Sequence, residues 1–294
     1  MIKSFITLAF LICISVNAYS QEPFPCDDSF YQVFTNQGQL ITYDLASNTF
    51  VTAPNNAGDP LNAFGYRVVD DFAYGVLQDT NLARLGSDGT VVDLGAITGF
   101  PGGPTASGDF GNGGLLCLIP NTGFNTIYAV NVDTVSVENT ISIAGANFFV
   151  SDIAFNPVDG LFYGVTQVAD VIGTEVPAAL LIAIDIGAGT FEIIGSTGLS
   201  QDVVFGSMYA DASGRVYGSD RVSSNFYVFD TETGHATALG ETVDGSPIDG
   251  FFCSANSGPF GLAIPTLSQW GLIAMAGILG IVGFMVIRRR KATA

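Results

Sequence analysis

The chain has 294 residues, 48% of them hydrophobic, with 27 Asp and Glu against 9 Lys and Arg and a formal net charge of −18. A surface this acidic repels nucleic acid and anionic lipid, both of which need clustered Lys and Arg to displace counterions. The apolar content, which includes 23 Phe and 10 Tyr spread along the chain, supplies a sizeable core and excludes disorder as the general state.

The N-terminus reads as a secretory signal peptide over residues 1–18. Lys3 gives the positive charge, Phe5 to Val16 the apolar stretch, and Val16, Asn17 and Ala18 the small-residue end. Cleavage is expected after Ala18, with Ser20 the second choice. Cys13 lies inside the apolar stretch without the small residues that precede a lipid-modified cysteine, so a lipoprotein is not expected.

Residues 19–258 form the next unit. All the acidic residues fall here, whereas its basic residues are Arg67, Arg84, Arg215 and Arg221, and lysine is absent from it. Short strand-like runs separated by turn residues fill it, and no amphipathic helical period is long enough for a helix. The runs repeat. One half-unit is an apolar strand, a turn, and a strand ending in Tyr-Gly: Asp152 to Gly164 with Tyr163, Phe64 to Gly75 with Tyr74, and Met208 to Gly218 with Tyr217. The other is a hairpin around an Asp turn: Ile41 to Ala53 (Asp44, Asn48), Leu82 to Gly95 (Asp88, Gly89), Ile182 to Gly195 (Asp185, Gly187) and Phe226 to Gly240 (Asp230, Gly234). Asp, Asn and Gly supply the local hydrogen bonds and positive φ of tight turns.

Joined, the halves give four-strand units near residues 62–97, 107–143, 151–196 and 203–243, within the roughly 40–50-residue period of propeller blades. Residues 29–53 hold three strands and Asp249 to Cys253 a lone one. Pairing these closes a fifth blade from both ends and removes two sheet edges. The expected fold is therefore an all-β, five-bladed β-propeller. Closure puts Cys26 and Cys253 on neighbouring strands, where an exported protein can bridge them. Pairing through Cys117, or three free thiols, are the alternatives.

The Tyr-Gly landmark and the Asp turn make the region resemble a family of uncharacterised bacterial propeller domains found on exported proteins with sorting tails. That resemblance implies architecture and no activity.

Chemistry is sparse. The chain has one histidine, His235, which the repeat places at the start of an outer strand, the site of a solvent-facing or satisfied side chain rather than a catalytic base. No short-spaced His and Cys set suits zinc, and the Gly-rich stretch Gly99 to Gly114 lacks the lysine of a phosphate loop, so it reads as a long propeller loop. The adjacent pairs Asp27/Asp28 and Asp70/Asp71 point to opposite faces of a strand and do not make one site. Lining up the starts of the innermost strands brings Asn62, Asp109, Asp152, Ser207 and Asp249 towards the mouth of the central channel, where hard oxygen ligands would suit Ca²⁺. The competing role is to tie neighbouring blades by hydrogen bonds.

Residues 259–270 form a linker that ends in Ile264, Pro265, Thr266, Leu267, Ser268, Gln269 and Trp270, followed by Gly271. Gly271 to Ile287 carries no charge, and as a helix it covers about 26 Å, slightly short of a ~30 Å hydrocarbon core. Residues 288–294 begin with Arg288, Arg289, Arg290 and Lys291, the cytoplasmic side of a span whose bulk lies outside. This order of motif, transmembrane helix and basic tail resembles the IPTL-CTERM sorting signal, a variant of the PEP-CTERM class. The resemblance implies processing by an exosortase-type enzyme near the motif and delivery to the outer surface of a Gram-negative cell.

The expected function is a non-catalytic, surface-displayed module, for adhesion to a glycan or protein or for surface structure, with loops such as Gly99 to Gly114 and Val168 to Pro177 presenting the ligand. The alternative is a secreted polysaccharide hydrolase or lyase that uses channel carboxylates. Mass spectrometry of the mature surface protein is expected to find a form lacking Arg288 to Ala294; recovery of the intact tail would mean that the span is a plain anchor.

Overall fold

The computed structural model describes residues 21–253, apart from 28, 122–124, 147–148, 167–178, 201 and 242–247. The signal peptide, the sorting motif, the apolar span with its basic tail, and the loop Val168 to Pro177 lie outside the described residues, as does Asp28.

The described chain is all β. After an N-terminal segment come β1 (Phe30–Phe34), β2 (Gln39–Asp44) and β3 (Thr49–Asn56). The first complete blade is β4 (Leu61–Arg67), β5 (Phe72–Leu77), β6 (Asn81–Leu85) and β7 (Val91–Ala96). The second is β8 (Thr105–Phe110), β9 (Leu116–Pro120), β10 (Thr126–Asn131) and β11 (Ser136–Ser142). The third is β12 (Val150–Phe155), β13 (Phe162–Thr166), β14 (Leu180–Asp185) and β15 (Thr190–Ser196). The fourth is β16 (Phe205–Ala210), β17 (Val216–Asp220), β18 (Asn225–Phe229) and β19 (Ala236–Glu241), and β20 (Ile248–Phe252) ends the series. The sheet order β20-β1-β2-β3 completes the fifth blade, so five antiparallel four-stranded sheets form the propeller expected from the repeat. Its innermost strands β4, β8, β12, β16 and β20 pack each against the next around the ring.

The repeat landmarks have physical causes. In the Asp turns, the carboxylate accepts backbone N–H groups ahead of it: Asp44 from Ala46 and Ser47, Asp185 from Ala188, and Asp230 from Glu232 and Thr233. These bonds are closed within the hairpin itself. In the Tyr-Gly landmark, the Tyr hydroxyl donates back to the preceding hairpin, Tyr74 to Asp70, Tyr163 to Asp159 and Tyr217 to Asp211. The glycine makes room for the innermost strand: a Cβ on Gly218 would lie 2.6 Å from the Phe205 ring, and one on Gly75 2.9 Å from the Asn62 carbonyl.

The core is divided into five wedges, one between each pair of adjacent blades. The wedge between the fourth and fifth blades is almost wholly aromatic. Phe30 of β1 meets Tyr209, Tyr217 and Phe226 edge-on at 5.0–5.2 Å, which locks the closing blade onto its neighbour. The N-terminal segment seals the next junction: Phe24 is buried with Tyr31, Tyr66 and Phe251, and the Gln21 amide donates to the Arg84 and Thr90 carbonyls.

One expectation is corrected. Gly99 to Gly114 is not loop throughout, because Thr105–Phe110 is the innermost strand of the second blade. Gly108 belongs to that strand, where a Cβ would sit 2.6 Å from the Ala63 carbonyl of β4. The glycine reflects a close approach of two strands rather than a turn.

Cys26 and Cys253 form a disulfide with Cα atoms 4.9 Å apart, and Cys117 is free and buried. The two cysteines lie just outside β1 and β20, beyond the Phe30–Phe252 pair. The bridge spans a sequence separation of 227, so it restrains the unfolded chain strongly while pinning the closure. Non-reducing peptide mapping is expected to link Cys26 to Cys253, and Cys253→Ser is expected to cost about 2–5 kcal/mol in reversible unfolding.

Candidate functional site

The channel side chains named from the sequence do come together along the innermost strands, but not at one level. Asp152, Ser207 and Asp249 are equivalent, each one residue before a position paired with the second strand at Gly164, Gly218 and Gln32. Ser107 and Ala63 complete that level. Asp109 lies two residues further along its strand and Asn62 one residue earlier. The register shifts at the same place in β4, β8, β12 and β16, so the strands stay aligned and the offset lies in the sequence: Ser107 and Gly108 stand in β8 where Asp152 and Ile153 stand in β12, which moves the head of the apolar run to Asp109, and in β4 the run already begins at Ala63.

Asp109, Asp152, Asp249 and Asn62 each join their blade to the next. Asp109 Oδ1 accepts its neighbour Phe110 N–H at 2.8 Å, and Oδ2 accepts Phe155 N–H of β12 at 2.8 Å. Asp152 accepts Ile153 N–H at 2.8 Å and Met208 N–H of β16 at 2.6 Å. Asp249 accepts Gly250 N–H at 2.6 Å and, across the closure, Phe64 N–H of β4 at 3.1 Å. Asn62 Nδ2 donates to the Thr105 carbonyl of β8 at 2.7 Å. At the remaining junction the bond runs the other way, from Gln32 Nε2 of β1 to Ser219 Oγ of β17 at 3.1 Å.

Asp152 and Asp249 are buried and Asp109 is partly buried, and among the described residues no cation pairs with them. Burial pushes Asp109 up to about 7, against the two N–H donors that favour its charged form. Burial likewise raises Asp152, helped by repulsion from Asp249, and raises Asp249 despite its N–H donors. The Cys117 thiol, buried near Asp109, is pushed up to about 12. Among the described residues, no three His, Cys, Asp or Glu side chains gather closely enough to hold a metal ion.

The other residues singled out are dispersed. His235 is exposed immediately before β19. Asp70 accepts the Tyr74 hydroxyl and pairs with Arg67 at 2.8 Å, while Asp71 accepts the Tyr66 hydroxyl, so the two neighbours serve different partners.

Where the innermost strands begin, a cavity of about 100 Å³ opens at the mouth of the channel, walled by all five blades. Asn62, Ser151, Gly206 and Ile248 line it from innermost strands, and Thr35, Asn121 and Arg221 from the ends of second strands, with Phe149 alongside. Sequence reasoning found Asn62 and missed the rest. A signal was present: the third residue after the landmark glycine, or its equivalent, is polar in every unit, namely Thr35, Gln78, Asn121, Gln167 and Arg221.

A family model described as "Repeat of unknown function (DUF6923)" matches residues 30–248. This chain belongs to the DUF6923 family. The DUF6923 match runs from the first residue of β1 to the first of β20, so it takes in the repeat and its closure. The IPTL-CTERM motif matches residues 263–291. No curated protein matches the chain by sequence. Among solved structures, virginiamycin B lyase from Staphylococcus aureus is similar at 8% identity and a TM-score of 0.42, over 74% of this chain and 72% of that one. A chain of a nidogen/laminin complex is similar at 11% identity and a TM-score of 0.48, over 77% of this chain and 100% of that one.

The buried carboxyls set a pH dependence. Below about pH 4, Asp109 is protonated in both folded and unfolded chains. Between there and about 7 the unfolded chain ionises while the folded one keeps its proton, so stability falls as pH rises and levels off above the folded value. Thermal melts are expected to show a lower midpoint at pH 8 than at pH 5, and Asp109→Asn to flatten this slope by up to about 1 kcal/mol per pH unit.

Proposed function

We propose that this DUF6923 protein is an exported, membrane-anchored surface module that binds an extracellular ligand at the mouth of its channel and catalyses no reaction. The observation that carries this reading is the polar cavity built by all five blades, in a domain followed by a C-terminal sorting motif. A site with one wall from each blade is rigid, since no wall moves without opening an interblade wedge. The sorting motif accounts for display, with the ectodomain outside and an exosortase-type enzyme as the processing partner.

Hydrolysis or lysis by channel carboxylates has weaker support. Asp152 and Asp249 are buried in the core, and each oxygen of these two and of the partly buried Asp109 already accepts a backbone N–H, which disfavours an approach by substrate. The purified ectodomain, screened on a glycan and matrix-protein array with and without Ca²⁺, is expected to retain at least one ligand without altering it. A blank array would leave a purely structural surface role, and turnover of a polysaccharide that is lost in Asp152→Asn would restore the enzyme reading.

A further inference from the structure

We infer that the channel mouth takes an acidic sugar, with Arg221 holding its carboxylate. The inference rests on the binding-module reading above and adds a ligand class to it.

The first argument concerns where the positive charge is spent. Of the four arginines of the ectodomain, Arg67 is paired with Asp70 and Asp133, at 2.8 and 2.6 Å. Arg84 donates to Gln21 Oε1 and covers the Phe72 ring. Arg215 lies against the Tyr217 hydroxyl and Asp211. Among the described residues the ion pairs belong to Arg67, and of the four arginines Arg221 is the one that lines the cavity, with no ion pair of its own there. The second argument is the lining itself. In a chain with 27 acidic residues, not one of the described residues walling this cavity is Asp or Glu. A guanidinium with no ion pair and no carboxylate among the described lining residues can receive an anion, and its planar fork matches a carboxylate in two parallel hydrogen bonds.

The remaining groups favour a sugar as the bearer of that carboxylate. Ser151 Oγ is buried without a hydrogen-bond partner and offers both a donor and an acceptor. Asn62 spends its Nδ2 on the Thr105 carbonyl, which leaves Oδ1 to accept from a hydroxyl. Asn121 is exposed at the rim and adds an amide, and the Phe149 ring supplies an apolar face. Hydroxyl and amide groups around one aromatic face suit a polyhydroxylated ring better than a peptide backbone. About 100 Å³ has room for a few water-sized groups, so the cavity takes the carboxylate edge of one terminal sugar unit while the rest of the ring and chain lies outward.

Calorimetric titration of the ectodomain with a galacturonate trisaccharide, the neutral galactose trisaccharide and the dipeptide Ala-Ala tests this. The wild type is expected to prefer the uronate. Arg221→Gln should weaken that binding at least about tenfold, the worth of one charge-assisted contact, with the melting temperature unchanged. Arg215→Gln makes the same change in net charge and should leave uronate affinity within about twofold. Equal losses in both variants would mean diffuse electrostatics and overturn the proposal. So would equal affinity for the neutral sugar, preference for the dipeptide, or failure to bind the uronate. If the array finds ligands that are all neutral, the sugar-acid inference falls while the binding module stands; a blank array removes the module itself.

Discussion

The innermost strand of each blade has one edge with no strand partner, and that edge runs down the middle of the molecule where water is scarce. Its N–H groups must be satisfied or the fold carries an uncompensated cost of a kcal/mol or more at each. Here side chains from the preceding blade supply what a fifth strand would have supplied. Asp109, Asp152 and Asp249 each take one N–H of their own strand and one of the next, and Asn62 reaches a carbonyl in the same sense. Four of the five junctions are therefore stitched in one direction around the ring, and at the fifth Gln32 reaches back to Ser219. Because a carboxylate has two acceptor oxygens and no donor when ionised, it suits two N–H groups that converge from different strands. The cost is a buried charge, which the protein lessens by raising the carboxyl pKa values towards neutrality.

Around that stitching, the apolar side chains fill wedges rather than a single central core. Each wedge is shared by two sheets, so no blade can bury its faces alone and stability is a property of the closed ring. Closure carries the heaviest reinforcement. Pairing of β1 with β20, the aromatic wedge around Phe30, the docking of Phe24 and the Cys26–Cys253 bridge all act where the two ends of the chain meet. An exported domain without a hydrophobic centre gains most from covalent restraint at that place.

The electrostatics separate surface from mouth. Acidic side chains spread over the outside keep the domain soluble and turn away polyanions at long range. Among the described residues lining the mouth, Arg221 is the one charged side chain. A weakly anionic group on a small ligand can reach such a spot at short range, where a direct hydrogen-bonded contact outweighs the screened repulsion of the surface.

Much of this was legible in the sequence because it depends on neighbours. Asp turns such as Asp44-Ala46 and Asp230-Glu232 are local hydrogen bonds, and the Tyr74-Asp70 clasp is closed within one hairpin, so strands, blade period and the pairing of the two chain ends could be read directly. The motif beginning at Ile264 and the apolar run after it are likewise linear signals. What needed the tertiary structure was the level of each side chain in the channel. Asp109 stands two residues beyond the level of Asp152 although both stand at the head of similar runs, and Gly108, one residue earlier, is explained by a carbonyl on another blade. Arg221 shows the same division. From the sequence it is one basic residue among acids, and its role depends on which side chains from four other blades surround it, since an ion pair or a free guanidinium is decided by distances between segments far apart in the chain. The sequence determined the number of blades and how the ring closes, because those follow from local periodicity and the need to remove sheet edges; tertiary packing alone decided which polar groups stitch the ring and which are left to meet a ligand.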